Sequence, residues 1–79
     1  MERFMPRYKN LNGNSRIAAY EICEDFIKIQ FIDDGVYLYN SRSTGWPSIE
    51  TMKRLAESGK GLNTFIDTFV KKRYAEKVK

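Results

Sequence analysis

The chain has no histidine, one cysteine, two prolines and no apolar run long enough to cross a bilayer as a helix. Each shortage closes off a class of function. Without histidine the usual general base near neutral pH is missing. Histidine-containing triads, Cys–His dyads and zinc sites built on imidazole are excluded with it. Cys23 alone allows no intrachain disulfide, so a secreted disulfide scaffold is excluded too. The opening residues, MERFMPRYK, lack the apolar stretch of a signal peptide. A reducing cytoplasm is the expected setting, with no membrane association.

What is present is the composition of one small domain. The chain has 79 residues, 42% of them hydrophobic and 30% charged, which fits a globular rather than a disordered protein. A chain this short buries roughly 60% of its unfolded surface and leaves little room for a deep substrate pocket. Aromatic residues make up 14%, and large rings fill a small core efficiently. The net charge of +4 is unevenly spread. Residues 1–20 carry Arg3, Arg7, Lys9 and Arg16 against Glu2. Residues 21–34 carry Glu21, Glu24, Asp25, Asp33 and Asp34 against Lys28. The rest holds nine basic side chains against four acidic ones. A positive surface of this kind attracts phosphates and acidic proteins alike, and it also serves solubility alone.

Pro6, Asn10, Asn12, Gly13 and Asn14 oppose regular structure, so residues 1–14 read as an irregular arm with Phe4, Met5, Tyr8 and Leu11 as its anchors. Residues 15–79 read as a single α+β domain. Ile17 to Cys23 is rich in apolar and β-branched residues and forms the first strand. Glu24-Asp25 is a turn. Ile27, Ile29 and Phe31 alternate with Lys28 and Gln30, the period-2 pattern of a half-buried strand. Asp34-Gly35 is the strongest hairpin signal, and Val36 to Asn40 is the third strand. Residues 40–46 read as a polar loop. Pro47 opens a helix in which Ile49, Met52, Leu55 and Ala56 recur at helical spacing through Glu57. Ser58-Gly59-Lys60-Gly61 breaks it, and Asn63 is placed to cap the next helix. There Leu62, Phe65, Ile66, Phe69 and Val70 form an apolar stripe that Arg73 and Tyr74 extend to about residue 76. The expected fold is a three-stranded antiparallel β-meander followed by two α-helices packed on one face. Phe31, Ile66 and Phe69 are expected in its core.

The order of elements resembles the KTSC family, a short domain found at the C-terminus of some lysyl-tRNA synthetases and as stand-alone bacterial and phage proteins. The resemblance is carried by Ser15-x-Ile17-x-x-Tyr20, Ile27-x-Ile29-x-Phe31, Gly35 and Tyr37-Leu38-Tyr39, which matches the family's YxY motif. Pro47 at a helix start, Ala56-x-Ser58, the glycine turn, Asn63 and Ile66 continue it, over roughly residues 15–70. Leu38 departs from the polar residue usual between the tyrosines, and the loop before Pro47 is longer than usual. The resemblance implies the meander-and-helices fold and a role in RNA binding.

No catalytic centre or cofactor site emerges from the residues. Cys23 lies beside Glu24 and Asp25, which disfavour a thiolate, so it reads as a small buried or half-buried hydrophobe. The acidic pairs Glu24/Asp25 and Asp33/Asp34 fall in hairpin turns, where they serve turn geometry. Ser58-Gly59-Lys60-Gly61 lacks the glycine spacing of a phosphate loop. As a turn before a helix start, with Lys60 and Ser58 at hand, it is still a place for one backbone phosphate, or simply a helix–helix turn. Tyr37 and Tyr39 share one strand face. A two-residue turn would pair Phe31 with Leu38 and turn the tyrosines outward as a base-stacking platform. A three-residue turn would pair Phe31 with Tyr37 and send them into the core, as the family pattern implies. The basic set is Arg42, Lys53, Arg54, Lys60, Lys71, Lys72 and Arg73, part of it explained by the dipole at a helix C-terminus. Trp46 is a core lid or an interface anchor. The expected function is therefore a small non-catalytic module that binds RNA or another nucleic acid through a basic face. Candidate contacts are Tyr37, Tyr39, Arg42, Lys53, Arg54, Ser58, Lys60, Asn63, Lys71, Lys72 and Arg73. The alternatives are a protein-binding adaptor or inhibitor acting on a host or partner protein, and an oligomerising structural module.

Overall fold

The computed structural model of the protein describes residues 5–79. The strands β1 (Ile17–Ile22), β2 (Phe26–Phe31) and β3 (Gly35–Asn40) form the antiparallel meander. A one-turn helix α1 (Ser41–Thr44), the long α2 (Trp46–Ser58) and the short α3 (Leu62–Phe65) follow. α3 runs on into a π-helical turn, Ile66–Val70, and the chain then folds back as β4 (Glu76–Lys77). Among the described residues the sheet has four strands in the order β1-β2-β3-β4, one more than expected. This is an α+β fold.

Register decides what each strand buries. Phe31 pairs with Gly35, Ile29 with Tyr37 and Ile27 with Tyr39. The hairpin loop is therefore Ile32-Asp33-Asp34: three residues, one position earlier than the three-residue reading, and not the two-residue turn. Gly35 is already in the strand with φ 98°. Both tyrosines lie on the face of Ile27, Ile29 and Phe31, so neither belongs to an outward platform. A bulge between Ile17 and Ala19 shifts β1, so that Ile17, Tyr20 and Ile22 all join that face. Onto it pack Ile49, Met52 and Ala56 of α2, then Leu62, Ile66 and Val70, so α2, α3 and the π-helical turn cover one side. Phe31 and Ile66 are core, as expected.

Terminal segments cover both margins of the meander. On the β1 side the Tyr8 N–H donates to the Ala18 carbonyl at 2.9 Å, and the Tyr20 N–H to the Pro6 carbonyl at 3.0 Å. The arm is thus tied down. Tyr8 is 3% exposed and Met5 half-buried, whereas Leu11 is 62% exposed and only its backbone N–H ties the arm, to the Gly59 carbonyl. Phe4 lies outside the described residues. On the β3 side the Ala75 N–H donates to the Leu38 carbonyl at 2.7 Å, and the Val78 N–H to the Val36 carbonyl at 2.7 Å.

Two helical expectations are corrected. The loop over residues 40–46 contains α1, because the Asn40 Oδ1 accepts the Ser43 N–H at 2.8 Å while the Ser43 Oγ accepts the Asn40 N–H at 3.3 Å. This reciprocal cap turns a Ser/Thr-rich stretch, normally a competitor of helix, into a helical turn. The last helix ends at Val70 instead of continuing to residue 76. Its final turn is π-helical, with i→i+5 spacing and more than 3.6 residues per turn. The wider winding keeps Val70 inward and rotates Phe69 out of the stripe. Phe69 is 63% exposed against 1% for Val70, so it is not core. Asn63 does not cap α3 either; Gly61 occupies that position.

Candidate functional site

A cleft of about 180 Å³ opens where β3, the π-helical turn and the tail meet. Buried Phe31, Tyr39 and Ile66 form its base, with Tyr37 and Tyr74 beside them and Arg16, Lys71 and Lys72 around it. Asp34 and Asp67 complete the lining. The aromatic rings meet edge to face. Tyr74 lies 4.7 Å from Tyr37 and 6.3 Å from Tyr39 between centroids, and Phe31 lies 5.7 Å from Tyr37. This geometry suits ring quadrupoles and makes one continuous aromatic wall from strands and tail. The Arg16 guanidinium sits 5.7 Å over the Phe31 ring, and the Lys77 ammonium 5.6 Å over Tyr37.

The polar groups divide into engaged and open ones. The Tyr37 hydroxyl donates to the Asp34 Oδ2 at 2.9 Å, and the Lys77 ammonium approaches the Asp34 Oδ1 at 3.4 Å. The Tyr37 bond, helped by Lys77, lowers the Asp34 carboxyl below its ordinary value, and the same bond raises the Tyr37 phenol. Asp67 accepts from the Asn63 side-chain amide at 3.0 Å. Burial pushes the Tyr39 phenol far above the ordinary tyrosine value, with Tyr37, Tyr74 and Asp67 adding to it. Lys71 and Lys72 are exposed and make no ion pair among the described residues. Among the described residues the one ion pair of Arg16 is an exposed one with Asp33 at 3.8 Å, which contributes little.

Comparison with family models, with curated proteins and with solved structures finds no match. What the cleft can do therefore follows from its own chemistry: a concave aromatic surface with cations not committed to internal carboxylates.

Of the residues singled out in the sequence, the structure gathers Tyr37, Tyr39, Lys71 and Lys72 here. The others lie elsewhere. The Lys53 ammonium donates to the Glu24 carbonyl at 2.8 Å, pairs with Glu50 at 3.6 Å and sits 5.4 Å over the Trp46 ring. It staples the start of α2 to the β1–β2 turn, and Trp46 is a half-covered partner of that staple rather than a core lid. Arg42, Arg54 and Lys60 are exposed outside the cleft. The Arg73 carbonyl accepts from the Thr44 hydroxyl at 2.8 Å, which anchors the tail. The Ser58 hydroxyl donates to the Leu55 carbonyl at 2.9 Å. The Asn63 Oδ1 accepts from the Arg16 N–H at 2.7 Å and the Ser15 hydroxyl at 3.0 Å. The Leu62 N–H is taken by the Tyr8 hydroxyl at 3.3 Å. The glycine turn and the start of α3 thus hold the arm and the residues that follow it, through the Gly59 carbonyl, the Leu62 N–H and Asn63.

Arg16, Phe31 and Tyr74 complete the cleft without having been singled out as site residues. Arg16 stands one residue before Ile17, whose pairing with Phe31 brings its guanidinium to the aromatic wall. Tyr74 sits at helical spacing from Val70, and only the end of the helix releases it toward Tyr37. Among the described residues no group of three Cys, Asp or Glu side chains gathers as a metal site, and no helix is long and apolar enough to cross a membrane.

Proposed function

We propose that the protein is a small non-catalytic module that binds single-stranded nucleic acid, RNA first, along the cleft between β3 and the tail. The observation that carries this reading is the junction of an aromatic wall with Arg16, Lys71 and Lys72. Strands without sequence specificity are held by this combination, cations tracking phosphates and rings supporting bases. The order of elements, a meander followed by helices, supports the KTSC-like reading of residues 15–79. A cytoplasmic setting belongs to the same proposal.

The test is the salt dependence of binding to a short single-stranded RNA. Neutralising Arg16, Lys71 and Lys72 together removes three phosphate contacts, and the slope of log K against log salt should flatten by about two. Neutralising Arg42, Arg54 and Lys60 should change it less. Wild-type protein that binds no RNA at low salt, where attraction is strongest, overturns the proposal.

One observation favours the protein-binding alternative. Phe69, 63% exposed, packs on Phe65 with ring centroids 5.1 Å apart, and exposed aromatic pairs are typical interface anchors. A partner captured in the presence of nuclease and lost on Phe69→Glu would put that reading first.

A further inference from the structure

Tyr39 is 1% exposed, yet its hydroxyl makes no hydrogen bond with any described residue; burial is the main cause that perturbs it. No polar side-chain atom among the described residues is both sealed from solvent and unpartnered. The hydroxyl therefore keeps some contact with solvent, and Tyr39 is among the residues that line the cleft. The other tyrosines nearby contrast with it. The Tyr8 hydroxyl accepts from the Leu62 N–H and the Tyr37 hydroxyl donates to Asp34. Phenylalanine would fill the same core space at position 39 without placing a polar atom at the base of an apolar recess, which is unfavourable unless something bonds to it. A hydroxyl both donates and accepts, and a phenol is protonated at neutral pH.

The surroundings select the ligand. Tyr74 stands over the recess, partly exposed, 6.3 Å from the Tyr39 ring. The volume of about 180 Å³ equals some six water molecules at roughly 30 Å³ each, enough for one flat heterocycle and too little for a base pair. The ligand must offer a π-face to Tyr74, a donor or acceptor on its edge to Tyr39, and negative charge to Arg16, Lys71 and Lys72. We infer that the cleft receives one unpaired nucleobase, stacked on Tyr74 and hydrogen-bonded at its edge by the Tyr39 hydroxyl, with the flanking phosphates held by the cationic rim. This rests on the nucleic-acid reading above and narrows it: bases inside a duplex cannot enter.

The experiment compares fluorescence anisotropy titrations at low salt with a short labelled oligouridylate, an abasic strand of equal length and charge, and a duplex. Wild-type protein should prefer the oligouridylate to the abasic strand by roughly tenfold or more and to the duplex as well. Tyr39→Phe keeps the packing and should weaken oligouridylate binding about three- to tenfold, leaving abasic binding unchanged. Tyr74→Ala, at a partly exposed position, should erase the preference and keeps the test alive should Tyr39→Phe fold poorly. Equal affinity for the base-bearing and abasic strands, or Tyr39→Phe and Tyr74→Ala both binding oligouridylate like wild type, overturns the nucleobase site and leaves the charge-based reading standing. No binding to any strand overturns both.

Discussion

A phenol held in apolar surroundings links stability to pH. The Tyr39 pKa is raised by burial from its ordinary 10.0, so the folded state favours the neutral form. That stabilisation is complete below pH 10 and is lost as pH rises toward the folded value, because the unfolded chain ionises first. Tyr39→Phe should therefore move the alkaline unfolding midpoint upward, and the phenolate absorbance of one tyrosine should rise only with unfolding. Asp34 works in the opposite sense. Its carboxyl is lowered from 3.8 by the Tyr37 hydroxyl first, with Lys77 assisting. Its contribution is present above that value and is lost as pH falls through the lower folded one, so Asp34→Asn should flatten the acid limb of a stability–pH curve. At Phe69 and Ile66 burial decides. Ile66→Ala should cost about 2–5 kcal/mol, while Phe69→Ala should stay within about 0.5 kcal/mol of wild type. Paired thermal melts check this, and a large loss at Phe69 would refute the outward placement.

At the scale of elements, the turn between α2 and α3 holds the arm, and the returning tail does most to shape the site. Gly59 ends α2 in the left-handed region at φ 83°, its N–H donating to the Leu55 carbonyl at 3.1 Å. A Cβ there would lie 2.6 Å from the Cβ of Lys9 in the arm. Gly59→Ala combines backbone strain with that contact and should cost more than about 1 kcal/mol, seen as a lowered melting temperature with loosened exchange protection at Leu11, whose N–H donates to the Gly59 carbonyl at 2.8 Å. The tail covers the β3 margin and delivers Tyr74. Truncation after Arg73 removes β4 and the Tyr74 part of the cleft wall together. The Val36 N–H, bonded to the Lys79 carbonyl at 3.4 Å, should then exchange faster, with the protection of β1 and β2 largely kept. Unchanged Val36 exchange would show that the tail pairing is not formed in solution.

For the whole molecule, the architecture joins two tasks. Each margin of the meander carries a segment from one end of the chain, which leaves little open strand edge for unplanned pairing. The start of β1, the end of the π-helical turn and the tail bring Arg16, Lys71, Lys72 and Tyr74 around the strand tyrosines. Cations spaced far apart in sequence thus gather on one concavity, where a phosphate chain meets several at once. Arg42 and Arg54 line no such concavity, and Lys60 borders a smaller recess that holds no second cation, which is why the two triple neutralisations above should separate in salt slope.

The strand meander, the α2 helix and the absence of an imidazole-based centre were readable in the residues themselves, because period-2 alternation, helical spacing and composition act locally. Phe31 and Ile66 were placed in the core by the same periodicities. The sequence could not decide the register of Tyr37 and Tyr39, since a shift of one residue in a loop rich in Asp and Gly changes which face is buried at little local cost. It also pointed to a longer final helix, because Arg73 and Tyr74 keep helical spacing. Tertiary structure alone decided that this helix widens at Ile66–Val70, that Phe69 turns outward, and that the tail leaves to pair with β3. Backbone groups of β3 needing partners and the Tyr74 ring packing on Tyr37 outweigh one more turn of helix. The cleft exists only after that choice, so its wall could not be seen in any single stretch of sequence.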